Sequence, residues 1–294
     1  MSLYLAMDVG GTSIKYGVID DEGNVSNQGK VVTPDNLDKM YVEMEKIYHD
    51  LNQEVEGLAL SMPGAVDSEV GVIKGSSALD YIHGPNIKED LQARLNLKVT
   101  LENDANCAAL AEVWKGAASD VDDCMFIVSG TGIGGAVVKN RLIHRGKHLH
   151  GGEFGYMVAL NDIENDEYIS WSEAGSTVAV VRAVAKELGV EPETLDGKEI
   201  FDHASENPVY QKYVNQYFSV LAMGIYNLQY VYDPEKIVIG GAISARDDLL
   251  EQLEKHLDKI YTKIPHAKIR PQVVKCKFAN QANLIGAVYN FINS

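Results

Sequence analysis

Cysteine is scarce: Cys107, Cys124 and Cys276 stand far apart in 294 positions. No CxxC pair occurs and the count is odd, which excludes a disulfide framework and points to a reducing compartment, the cytoplasm. Basic residues are outnumbered, 26 Lys and Arg against 42 Asp and Glu, for a formal net charge of −16. So acidic a surface repels nucleic acid and anionic membrane, and neither is an expected partner. No apolar run reaches spanning length, so no transmembrane segment is expected. The chain enters a strand-like segment at Leu3, and its apolar stretch is too short for a signal peptide. What remains, 46% hydrophobic and 23% charged residues, is the balance of a soluble globular protein, with enough length for two lobes.

The order of elements repeats. Tyr4 to Val9 reads as a strand, Gly10-Gly11-Thr12 as a turn and Ser13 to Ile19 as a second strand, with another turn at Asp20–Gly23. Apolar residues at Leu37, Met40, Met44, Ile47 and Leu51 then follow helical spacing. Glu56–Met62 and Leu97–Leu101 are strand candidates, and Ala105–Trp114 a helix. At Asp123 the pattern restarts: strand Cys124–Ser129, a glycine-rich turn over Gly130–Gly135, strand Ala136–Lys139. Two such copies predict a duplicated α/β architecture with a cleft between lobes. Most of the remainder reads as helix: Ser176–Leu188, Val209–Val231 and a C-terminal helix from Asn283, with a buried strand at Lys236.

Both glycine turns suit phosphate, because glycine lets backbone N–H groups approach the oxygens closely. Asp8, at the strand end before the first, would repel phosphate unless it holds a hydrated Mg²⁺ between them. A hairpin with a solvated Asp is the plainer alternative. Neither turn is a Walker A loop or a Rossmann turn. Glu102-Asn103-Asp104-Ala105-Asn106 stands where a strand gives way to a helix. There Asn103 or Asp104 is a helix cap, or Asp104 is a general base with an amide beside it. Glu153 and Glu173, each among small residues, could accept hydrogen bonds from sugar hydroxyls, or simply lie in solvated loops. His144, His148 and His150, interleaved with Arg145 and Lys147, read as a surface loop rather than a zinc site.

Several separate motifs in order resemble the ROK family, named for its repressors, open reading frames and kinases, within the actin–hexokinase–Hsp70 superfamily. They are Asp8-x-Gly-Gly-Thr-x-x-Lys15, Pro63-Gly64-x-Val66-Asp67, Glu102-Asn-Asp-Ala-Asn106, Gly130-Thr-Gly-Ile-Gly-Gly135, Gly152-Glu-Phe-Gly155, Ile239-Gly-Gly-Ala242 and Leu284-Ile-Gly-Ala287. The resemblance implies an actin-like ATPase (ribonuclease H-like) fold, with a small lobe of residues 1–115 plus about 284–294 and a large lobe of 116–283. It implies an ATP- and Mg²⁺-dependent sugar kinase with Asp104 as catalytic base. Asn103, Glu153 and Glu173 would hold the sugar and Gly64 would wall its pocket. Asp8, Gly10, Gly11, Thr12, Lys15, Thr131 and Gly132 would serve the phosphates and Mg²⁺, and Gly240 and Gly241 the adenosine.

Many members of that family hold zinc with a His shortly after the pocket Glu and a Cys-rich loop. Here Tyr156 stands at that His and 161–172 contains no cysteine, so no zinc site is expected. Asn103–Cys107, Glu153–Met157 and Leu284–Tyr289 look most like the β-glucoside kinase branch, whose members phosphorylate the 6-hydroxyl of the non-reducing glucose of cellobiose. Glucokinase and N-acylmannosamine kinase are the alternatives within the family, and a sugar sensor without catalysis the alternative outside enzymes. A ROK repressor would carry a helix-turn-helix ahead of its sugar-binding part, and the first glycine turn, already at residue 10, leaves no room for one. The expected partners are a small sugar and ATP, and the expected assembly is a homodimer.

Overall fold

The computed structural model describes residues 1–162 and 165–294 and divides into two compact units. The first comprises Met1–Asp120, Arg141–Gly151 and Lys277–Ser294, the second Val121–Asn140 and Gly152–Cys276. Beside the division expected at 115/116 and 283/284, residues 116–120, 141–151 and 277–283 are counted with the first unit.

In the first unit β1 (Leu3–Val9) pairs antiparallel with β2 (Ser13–Asp20), which pairs antiparallel with β3 (Val25–Val32). Helix α1 (Leu37–Asp50), capped by Asn36, buries Met40, Met44 and Ile47 of the predicted stripe, together with Tyr41. β4 (Gly57–Met62) then joins β1 in parallel. The small hairpin of β5 (Ala65–Asp67) and β6 (Val72–Lys74) follows, and after it α2 (Ile87–Leu95). β7 (Lys98–Asn103) joins β4 in parallel and runs straight into α3 (Asp104–Lys115). The sheet order is β3-β2-β1-β4-β7. Successive strand residues face opposite sides. Leu5, Met7 and Val9 therefore join one core with α1 and α2, while Ala6 and Ala59 join another with Cys107 and the C-terminal helix.

The second unit repeats this plan. β8 (Cys124–Ser129) pairs antiparallel with β9 (Ile133–Lys139), and a two-residue strand, β10 (Leu142–Ile143), comes next along the chain, within the stretch counted with the first unit. The hairpin of β11 (Val158–Asp162) and β12 (Glu167–Ser170) leads into α4 (Trp171–Gly175) and α5 (Thr177–Leu188). Helices α6 (Gly197–Asp202) and α7 (Pro208–Tyr232) precede β13 (Lys236–Gly240), and α8 (Leu249–Lys263) and β14 (Val273–Lys275) complete the unit. The chain then returns to the first unit as α9 (Ala282–Ile292). Strands β9-β8-β13-β14 match β2-β1-β4-β7 in order and in relative direction, one antiparallel pair and two parallel.

One expectation needs correction. The glycine turn after β8 is shorter than 130–135, because β9 begins at Ile133. Gly135 belongs to the strand, where a side chain would meet the Phe126 carbonyl oxygen at 2.3 Å and the Phe154 ring at 2.6 Å. Residues 161–172, set where other members carry a Cys-rich loop, fall largely in a hairpin and the start of a short helix. Ile163 and Glu164, within the segment expected to replace a zinc loop, lie outside the described residues.

Candidate active site

The parallel pairing of β1, β4 and β7 brings their C-terminal ends to one edge of the first sheet, where ligands sit in α/β folds. Asp8 lies opposite Ser61, and Met62 opposite Asn103. The Asp8 carboxylate is nearly buried; its Oδ1 accepts from Ser61 Oγ at 2.8 Å and from Asn283 Nδ2 at 2.9 Å. Its Oδ2 lies 3.8 Å from Lys15 Nζ across the β1–β2 register. Gly10, Gly11 and Thr12 form the tight turn between these strands, closed by the Gly10 N–H donating to the Ser13 carbonyl oxygen at 3.0 Å. This donor set suits a hydrated Mg²⁺: one hard carboxylate with a single oxygen turned away from its neutral partners.

Asn103 caps α3. Its Oδ1 accepts from the Asn106 N–H at 3.1 Å, and its Nδ2 donates to the Gly64 carbonyl oxygen at 3.0 Å. Asp104 is the first helical residue, half-buried, with Oδ1 accepting from the Ala105 N–H at 2.8 Å. The cap is therefore the amide, and the carboxylate sits on the first helical residue after it. Burial pushes the Cys107 thiol well up, with the Glu102, Asp8 and Asp104 carboxylates adding to the rise. Negative charge is thus concentrated at this sheet edge.

In the second unit Thr131 and Gly132 lie between β8 and β9, while Gly240 and Gly241 end β13 beside β8. Gly241 has φ +85°, and a side chain there would meet the Ser129 carbonyl oxygen at 2.3 Å. Only glycine allows that approach. A cavity of about 690 Å³ opens beside it, walled by Thr177, Phe201, Ile243 and Arg246 among others. Its residues fit an adenosine: apolar and aromatic walls, an exposed edge, and a guanidinium held by Asp202 and Asp248. The Thr131 turn is tied to α4, because the Ile133 N–H donates to Ser172 Oγ at 2.9 Å.

Glu153 is exposed at the start of a short 3-10 turn, Phe154–Tyr156. Glu173, for which a solvated loop was the plainer alternative, is the third residue of α4 and closes a capping box with Ser170. Its Oε2 accepts from the Ser170 N–H at 2.9 Å and from Ser170 Oγ at 2.7 Å. The hydroxyl and then the N–H hold its pKa below the ordinary carboxylate value. Ser170-x-x-Glu173 is a legible capping-box signal that the sequence reading passed over. His144, His148 and His150 are exposed, and among the described residues no group of three His, Cys, Asp or Glu side chains could hold a metal. Sequence reasoning also missed Ser61 and Asn283 as partners of Asp8. No local signal could have found Asn283, 275 positions away.

A model of the ROK family matches residues 4–293. The chain belongs to the ROK family. Among its members, the β-glucoside kinase of Listeria innocua is 33% identical over 98% of this chain and 96% of its own. A ROK family protein from Streptococcus pneumoniae, crystallised in complex with sucrose, has TM-score 0.91 at 35% identity, covering 99% of this chain and 98% of that one. The ROK family glucokinase from Streptomyces griseus, in complex with glucose and AMPPNP, has TM-score 0.78 at 25% identity, covering 97% and 98%. The actin-like α/β fold expected from the motifs is the fold of these ROK proteins. Among the described residues no helix is long and apolar enough to cross a membrane.

Proposed function

We propose that this chain is an ATP-dependent sugar kinase that transfers the γ-phosphoryl group to the 6-hydroxyl of a glucose-type sugar, with a β-glucoside such as cellobiose favoured. The observation that carries the reading is Asp104: a carboxylate on the first residue of α3, relieved of capping by Asn103, in a chain that aligns end to end with a β-glucoside kinase. The sugar O6–phosphorus bond forms, the bond from phosphorus to the β,γ-bridging oxygen breaks, and the hydroxyl proton passes to Asp104. Asn103, held by its bond to Gly64, orients the sugar hydroxyls, with Glu153 and Glu173 as further acceptors. Glycines 10, 11 and 132 and the hydroxyls of Thr12 and Thr131 line the phosphates, Lys15 offsets their charge, and Gly240 and Gly241 bound the adenosine. Asp8 would hold Mg²⁺ through water, and the bound ion would neutralise charge on the transferred group.

The reading includes no structural zinc, since an exposed Tyr156 occupies the position of the ligating His. Three free cysteines, two of them buried, agree with work in a reducing cytoplasm, and a homodimer is the proposed assembly. The test is ATP consumption with glucose, cellobiose, N-acetylmannosamine or no sugar. Cellobiose should give a specificity constant at least comparable to that of glucose. Activity confined to glucose or N-acetylmannosamine moves the assignment within the family, and sugar binding without ATP turnover turns the protein into a sensor.

A further inference from the structure

Glu102 has no assigned role, yet it is the most completely enclosed acidic side chain beside Asn103 and Asp104. Both its oxygens are occupied. Oε1 accepts from the Asn103 N–H and from Asn106 Nδ2, each at 2.9 Å. Oε2 accepts from Arg145 Nε at 2.9 Å and from Arg145 Nη2. The first pair ties the end of β7 to the first turn of α3, so the carboxylate spans the corner where the chain turns. The second pair sets two guanidinium N–H donors on that one carboxylate oxygen, a charge-assisted two-point hold on the donor side. Arg145 reaches the corner from residues 141–151, a separate stretch of the first unit, and its own side chain is 31% exposed.

A buried carboxylate stripped of its cation is strongly unfavourable and must move or find another partner. Movement of Glu102 would release the Asn103 N–H and the Asn106 amide together. Asn103 carries the cap of α3 and Asp104 follows it, so both would lose their register. Misplacement by about 1 Å can cost about 10²-fold in rate. The geometry points to Arg145 as a positioning residue, which holds Glu102 and through it the strand-to-helix corner that aims Asn103 and Asp104. This rests on the reading of Asp104 as the base.

The test uses Arg145→Met, Arg145→Lys and the double variant Glu102→Gln/Arg145→Met, with folding followed by thermal unfolding. Turnover is measured at saturating glucose and cellobiose with ATP varied. Arg145→Met should lose about 10- to 100-fold in kcat while the KM for ATP stays within about twofold. Arg145→Lys, which keeps the charge but not the two-point hold, should recover part of the loss. The double variant should recover more than Arg145→Met, because a neutral amide in place of the Glu102 carboxylate needs no counter-charge and still accepts from Asn103 and Asn106. Wild-type kcat in folded Arg145→Met overturns the proposal, as does a lowered unfolding temperature with kcat unchanged well below it. If Arg145→Met does not fold, wild-type kcat in Arg145→Lys overturns it equally, and so does a double variant slower than Arg145→Met. Failure of the base reading would show separately, as full activity in Asp104→Asn.

Discussion

At the scale of single residues the question is what Asp104 is for. If it only secured the start of α3, Asn would serve nearly as well. The structure gives that task to Asn103, so the two readings of the motif fall on neighbouring residues. Asp104→Asn should keep the fold and bind sugar with a loss of about 1–2 kcal/mol, one weakened charged hydrogen bond. Turnover should fall by about 10²–10⁴-fold, as for a lost general base. Calorimetry of sugar binding beside the turnover rate decides it, and near wild-type turnover in the folded variant removes Asp104 as the base. The residues legible in sequence were those with glycine or helix-start neighbours, such as Gly10, Gly241 and Asn103. Ser61 and Asn283, which bond Asp8, and Arg145, which bonds Glu102, sit in ordinary surroundings and gain meaning only through pairing across many positions.

Between residues and molecule, the elements were legible wherever a periodic pattern ran long enough. The helix over 208–232 and the strand at 236 stand within a residue or so of expectation. The stretch 154–175 was opaque because its elements are short and their anchor is a single side chain. Trp171 is almost wholly buried, its backbone N–H donates to the Met157 carbonyl oxygen at 2.7 Å, and its ring centroid lies 6.5 Å from that of Phe154. It roots α4, and with it Ser172 and Glu173. Trp171→Ala should therefore cost about 3–5 kcal/mol in a urea titration. Trp171→Phe should cost much less, since it keeps most of the apolar area and discards a buried indole N–H without a partner. Equal losses in the two variants would mean that packing around the ring is not what orders this stretch.

For the whole molecule, acidity of the medium offers a probe of the second unit. His256 is buried in α8, its Nδ1 2.8 Å from the Gln252 carbonyl oxygen and its ring stacked on Phe218. Burial first, and then Lys259 and Lys255, hold its pKa below the ordinary 6.5, against the opposing pull of the Gln252 carbonyl. The unfolded chain therefore binds this proton more readily than the folded one. The contribution to stability is full above about pH 6.5 and is lost as pH falls through the lower folded value. Urea midpoints should drop between pH 7.5 and 5.5, and His256→Gln should narrow that drop. An unchanged pH dependence in the variant would assign it to other groups.

The return of α9 to the first unit carries a consequence for how the protein is made. Leu284, Ala287, Val288 and Phe291 share a core with Ala6, Ile19 and Ala59, and Asn283 completes the bonds on Asp8. A nascent chain emerging at roughly 5–20 residues per second has its first strands outside the ribosome long before this helix exists. Until then one face of the first sheet lacks its cover and the Asp8 carboxylate lacks the Asn283 amide, while the second unit has all of its own segments in hand. The unit whose strands emerge first should thus be the last to be finished.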